Sequence, residues 1–305
     1  MAAPSSPGES GSVLSGIGLA LSAYLLFSLQ DASVKWLVVA YATVQLMFMR
    51  SSVILVICFI SGGPRLVLEA LASPHLKTLA LRALVLLSAW FCYYTAARHL
   101  QLAEMSTIYF SSPLIVAALA VPILHERVSP FRWCAIAIGF VGVLIACRPT
   151  HLHEPLAIGM ALTAALLWAY AMILFRQVAP QIRTLVQMVI SNGAFVIVCG
   201  LALPWVWKTP SLREFLLMVL IGVMGGAGQF LVTEGIKRTP ASVIAPLEFS
   251  GLLWAFALGY LIWGDLSDVA VFVGAALILI GGMMIIGAEW RASRRRAMER
   301  RAALT

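Results

Sequence analysis

Two ionisable side chains, Arg50 and Glu248, stand inside long apolar runs. Holding each one in hydrocarbon costs at least roughly 2.5–3.5 kcal/mol. Arg50 lies about nine residues into its run and Glu248 about eight into its own, which at about 1.5 Å per residue puts both near mid-depth. A guanidinium there could hold a carboxylate by charge-assisted hydrogen bonds, and a carboxylate could meet an ammonium group or carry a proton. The alternative is a structural ion pair in which each group neutralises the other.

A second cluster is the run Ser106-Thr107-Ile108-Tyr109-Phe110-Ser111-Ser112-Pro113. Pro113 has no N–H and frees the carbonyl near position 109, and Ser111 or Ser112 can re-satisfy the local backbone. Pro246 holds a comparable place beside Glu248. Paired breaks in corresponding segments point to a binding site for a small zwitterion; the alternative is a pair of ordinary packing kinks. Tyr24, Trp90, Tyr94, Tyr109, Trp168 and Trp254 fall at inward positions and could stack on an aromatic or cationic ligand, or simply pack the core.

Asp31, Glu104 and Glu234 lie near the ends of runs and read as side chains reaching an interface. Glu126 and Asp265 read as loop or cap residues. Trp205, Trp207 and Trp263 stand at run ends, as an interfacial aromatic belt does. Gly222 and Gly226 form a GxxxG pair suited to close helix contact. His151-Leu-His153-Glu154 has no third strong ligand nearby, so no metal site is expected. There is no P-loop, HExxH, GxSxG or CxxC motif, so no catalytic residues and no cofactor are assigned.

The elements that position these residues follow from composition. Of 305 residues 61% are hydrophobic and 11% charged, whereas a soluble domain carries about 25% charged residues. Lipid must therefore be the main solvent. Ten runs are long enough to span a bilayer, at about 13–31, 41–61, 76–97, 102–124, 131–148, 156–177, 184–203, 212–236, 240–263 and 270–288. With both termini inside, fifteen Lys and Arg fall on inner segments and five on outer ones, Arg50 belonging to neither. That asymmetry is what the positive-inside rule expects. The net charge of +8 therefore points to anionic lipid and the cytoplasm, not to nucleic acid.

The chain also resembles itself. Gly18-Leu-Ala-Leu-Ser22 matches Gly159-Met-Ala-Leu-Thr163, with Lys35 then matching Arg176; Val44-Gln45 matches Val186-Gln187; and Glu126, Ala135 and Gly142 match Asp265, Gly274 and Gly281. An offset near 140 implies a duplicated five-helix unit, 13–148 and 156–288, followed by a basic tail at 289–305. Five is odd, so the second unit enters the membrane in the opposite sense, the typical construction of secondary transporters.

These residues, with Phe27-Ser-Leu-Gln-Asp31, Phe48-Met-Arg50 and Leu81-Arg82, resemble the drug/metabolite transporter superfamily and its EamA-type ten-helix members. The resemblance covers about 13 to 288. It implies an all-α, basket-like bundle whose path is lined by helices one to four and six to nine. The expected activity is export of small polar metabolites from a bacterial-type inner membrane, foremost aromatic or neutral amino acids. Carriage of a larger metabolite such as S-adenosylmethionine or riboflavin is the alternative. The expected substrate-binding set is Arg50, Glu248, Tyr109, Ser111, Ser112, Tyr94, Trp90, Trp168 and Tyr24, with Pro113 and Pro246 as helix breaks. A monomer working with a small-molecule substrate and lipid is expected. An intramembrane enzyme would need a nucleophile–base pair that the sequence does not show, and a scaffold has no use for two inverted halves.

Overall fold

The computed structural model describes residues 7–124, 130–147, 154–178, 182–238 and 247–302. Pro246, Glu126, His151 and His153 lie outside the described residues. Within them the secondary structure is helical, with no strand. Helix α1 covers Pro7–Val38, α2 Thr43–Gly62, α3 Arg65–Leu71, α4 Leu76–Ala96, α5 Leu102–Tyr109 and α6 Ser112–Leu124. Helix α7 covers Pro130–Cys147, α8 Pro155–Val178, α9 Thr184–Val206, α10 Leu212–Arg238, α11 Ser250–Trp263 and α12 Val269–Ala302.

Seven of these helices are long and apolar enough to cross a membrane, with shorter apolar helices over Trp133–Ala146 and Ser250–Trp263. Large apolar side chains such as Ile60, Leu201 and Leu261 face outward and are 81%, 70% and 75% exposed. A ring of such groups is tolerable only against lipid.

Two features depart from the sequence reading, and a third is the helix break expected at Pro113. Helix α1 runs on past residue 31 to Val38, because Lys35 does not need water: its Nζ meets Asp265 Oδ2 at 3.3 Å and sits 5.0 Å from the Trp263 ring. Trp263 thus packs on Lys35 and Trp36, while Trp205 is 83% exposed as a belt residue would be. Arg65 opens the short helix α3 after Pro64 at its N-cap, and the preceding Gly63, with a φ of 72°, ends α2; a side chain at that φ would be strained. The fourth run is split into α5 and α6 at Phe110 and Ser111. There the Ser111 hydroxyl donates to the Ile108 carbonyl at 2.7 Å, and Pro113, in the first turn of α6, has no N–H to offer Tyr109.

A second interruption stands opposite. Leu247 and Glu248 are helical, Phe249 is a turn, and α11 starts at Ser250. The Phe110 and Phe249 rings at the two breaks lie 6.0 Å apart.

Helix α1 packs on α10 and α11, α2 on α9 and α10, α4 on α8 and α9, α7 on α12, and α8 on α5 and α6. Let α1, α2, α4, α5–α6 and α7 exchange places in order with α8, α9, α10, α11 and α12. The α1–α10 contact becomes α8–α4, α2–α10 becomes α9–α4, α1–α11 becomes α8 on α5–α6, and α2–α9 and α7–α12 return to themselves. Each is an observed contact. The α7–α12 seam repeats this at atomic scale: a Cβ on Gly142 would stand 2.7 Å from the Gly274 carbonyl, and one on Gly281 2.7 Å from the Ala135 carbonyl. Gly222 and Gly226 of α10 meet Val53 and Ile54 of α2, the close approach that GxxxG spacing allows.

Candidate functional site

One face of α1 carries Tyr24, Phe27, Ser28 and Asp31, spaced three or four residues apart, and so aligned along the helix. That face forms one wall of a cavity of about 650 Å³, part of it open to solvent. Helix α4 contributes Trp90 and Tyr93, α5 contributes Ser106 and Tyr109, α8 contributes Trp168, and the broken segment before α11 contributes Glu248. The helix breaks at Phe110 and Phe249 position this wall, since each lets a segment change direction beside the cavity.

The aromatic rings form a continuous surface. Tyr93 and Tyr109 are 4.8 Å apart between centroids, Tyr109 and Trp168 6.0 Å, and Trp90 and Trp168 6.0 Å. Ser28 Oγ spans the bundle, donating to the Tyr24 carbonyl at 3.0 Å or the Gly251 carbonyl at 3.3 Å.

Two carboxylates enter this aromatic chamber. Asp31 Oδ2 accepts a hydrogen bond from the Tyr93 hydroxyl at 3.1 Å, whereas its Oδ1 is buried and has no hydrogen-bond partner among the described residues. Glu248 lines the same cavity. No Lys, Arg or His is among the described lining residues. Half-buried carboxylates beside π faces form a site for a positive charge, because both kinds of group attract cations.

Tyr24, Trp90, Tyr109, Trp168 and Glu248 thus come together in the wall, as the sequence suggested. Arg50, Tyr94, Ser111 and Ser112 stand behind it. Arg50 is 4% exposed; its Nε donates to Gln30 Oε1 at 3.0 Å, and Gln30 Nε2 donates to the Tyr94 hydroxyl at 3.1 Å. The guanidinium carbon lies 5.3 Å from the centre of the Trp90 ring. Among the described residues Arg50 makes no ion pair with Glu248, so the mutual neutralisation is not formed here. Ser111 is occupied by the backbone at the break, and Ser112 is buried beside it.

Asp31 is the residue that the sequence reading placed elsewhere. A span ending at residue 31 puts its carboxylate at an interface, but α1 continues for two more turns and carries it into the bundle. The signal that would have found it is the polar stripe Tyr24, Ser28, Asp31, Lys35 on one helical face.

The EamA-like transporter family profile matches this chain twice, over residues 14–148 and 154–287. The chain is 24% identical to a pseudopaline exporter of Pseudomonas aeruginosa over 87% of its own length and 94% of that protein's. It is 25% identical to an S-adenosylmethionine uptake transporter of Rickettsia bellii, covering 91% of this chain and 95% of that one. A solved crystal structure superposes with a TM-score of 0.61 at 18% identity, covering 90% of this chain and 96% of the other, a likeness of fold.

Proposed function

Because this chain belongs to the EamA-like transporter family, and is a multi-pass membrane transporter and not an enzyme, we propose that it moves a small metabolite bearing a positively charged amine or onium group joined to a flat unsaturated ring. The observation that carries this reading is the pair Asp31 and Glu248 in an aromatic cavity without a basic side chain among its described lining residues. The likeness to an S-adenosylmethionine carrier supports it, since that molecule combines a sulfonium, an ammonium and a purine.

Amino-acid export is the second reading. The carboxylates would accept the ammonium group, and the tyrosine hydroxyls of the wall would have to take the carboxylate, since Arg50 stands behind Trp90.

The transporter works by alternating access between two inverted halves, 13–148 and 156–288, with both termini in the cytoplasm of a bacterial-type inner membrane. The exchange of helix contacts between the halves supports the first part and the fifteen-to-five charge asymmetry the second. The twofold family match has boundaries close to those halves.

Reconstitution in liposomes tests the reading, with labelled S-adenosylmethionine, quaternary aromatic amines, aromatic amino acids and dicarboxylates as cargo. Saturable flux of the cationic compounds, lost in Asp31→Asn and Glu248→Gln, is expected. Flux confined to anions, or unaffected by both substitutions, would overturn it.

A further inference from the structure

Arg50 is a buried cation with no carboxylate partner among the described residues. Its guanidinium rests on the ring of Trp90, which also lines the cavity. Two polar chains run side by side here. Gln30 and Tyr94 hold Arg50 outside the cavity, while their sequence neighbours Asp31 and Tyr93 form the hydrogen bond within it.

The guanidinium is held tightly in this place. A Cβ on Gly225 of α10 would run into Gln30 Oε1 and come within 2.9 Å of Arg50 Nε and 3.1 Å of Nη2. Helix α10 therefore has a bare strip of backbone where Arg50 is seated. Arginine stays charged even when buried, and with no counter-ion its field extends through the low-dielectric wall. When both cavity carboxylates are ionised, they and the guanidinium sum to one net negative charge.

We propose that Arg50 is a specificity-determining residue that limits the cavity to cargo with a single net positive charge, a class that includes a sulfonium and ammonium compound whose own carboxylate cancels one of the two charges. It acts through its field beside Trp90 and not by touching the cargo. This rests on the cation reading of the cavity. A monocation held by Asp31 and Glu248 beside Arg50 leaves the site neutral; a dication doubles attraction and repulsion alike, costs more to desolvate, and leaves a surplus positive charge next to the guanidinium.

The test compares two flat biaryl cations of nearly equal size, 1-methyl-4-phenylpyridinium with one charge and methyl viologen with two. Their binding to the purified full-length protein is followed by quenching of tryptophan fluorescence. Wild type is expected to favour the monocation. In Arg50→Gln the affinity for the monocation rises about tenfold and that for the dication about a hundredfold, so the preference falls about tenfold. Arg50→Lys keeps the charge and restores the wild-type preference. Gln30→Glu places a near-isosteric carboxylate beside Nε, neutralises the guanidinium in place and lowers the preference as Arg50→Gln does, which gives the same readout should that variant fold poorly. An unchanged preference in Arg50→Gln or Gln30→Glu, with both cations still bound, overturns the role of Arg50 and leaves the cation reading intact. Failure of both cations to bind wild type removes both together.

Discussion

Tyr93 donates its hydroxyl to Asp31 across 3.1 Å and satisfies one carboxylate oxygen, while the other oxygen is buried with no hydrogen-bond partner among the described residues. A native buried acceptor left open in this way needs a reason, and a ligand cation is one. Asp31→Asn keeps the shape and the Tyr93 contact but removes the charge. We predict a loss of cation flux of at least about tenfold with little change in melting temperature, measured on reconstituted and detergent-purified protein respectively.

Tyr93→Phe acts one step further out. It removes the donor that fixes the Asp31 carboxylate, and losing a hydrogen bond to a charged group costs about 1.5–3 kcal/mol. Cargo affinity is predicted to fall roughly tenfold or more, at about 1.4 kcal/mol per factor of ten, with the loss smaller in the double variant with Asp31→Asn than the two single losses combined. Additive losses would show that Tyr93 acts independently of Asp31.

Much of this site was legible in the sequence, and the reasons it was incomplete are local. Tyr24, Trp90, Tyr109, Trp168 and Glu248 were visible because bulky rings and a lone charge in apolar runs have few other uses, whereas Trp254, also read as inward, is 39% exposed. The break at Phe110 followed from Pro113 in a serine-rich segment. Asp31 was hidden because span ends were placed where charges begin, and Lys35 seemed to end α1; its partner Asp265 lies 230 positions away in sequence, beyond any local pattern. Arg50 was recognised as buried and important, but only the fold shows that Trp90 and Gln30 hold it outside the wall.

The Lys35–Asp265 pair joins α1 to the turn after α11, where Gly264 at φ 67° closes the helix. The two side chains are 14% and 21% exposed, between the exposed pairs worth under about 1 kcal/mol and the buried pairs whose breakage costs about 3–5 kcal/mol. Asp265→Asn is predicted to destabilise by about 1–2 kcal/mol. A double-mutant cycle with Lys35→Met measures the coupling directly, and a coupling near zero would mean that Lys35 is held by Trp263 alone.

Membrane orientation gives a further check. Lys208 and Ser211 cluster around the α1–α2 connection through Gln45 and Tyr41, the latter by way of Glu214. Arg183 pairs with Glu69 at 2.7 Å. The proposed topology puts the first group outside and the second inside. In a cysteine-free background, Ser211→Cys should react with a membrane-impermeant maleimide in intact cells, and Arg183→Cys only after permeabilisation. The reverse labelling pattern would invert the topology.

The glycine seam between α7 and α12 yields the sharpest packing prediction, because the chain supplies its own control. Gly274 and Gly281 each have a backbone carbonyl of α7 within 2.6 and 2.7 Å of where a Cβ would be, a contact that only helix separation can relieve. Gly159, in α8, has nothing within 4 Å of its Cβ position. Overpacking costs about 1–3 kcal/mol, whereas Gly→Ala at an open helical position stabilises by about 0.5–1 kcal/mol. Gly274→Ala and Gly281→Ala should therefore lower the melting temperature in detergent by similar amounts, and Gly159→Ala should hold or raise it. A two-fold relation between α7 and α12 pairs Gly281 with Gly142, whose Cβ would stand 2.7 Å from the Gly274 carbonyl, so Gly142→Ala should cost as much as Gly281→Ala. A large loss at one with none at the other would show that the seam is asymmetric and that the two contacts are not equivalent.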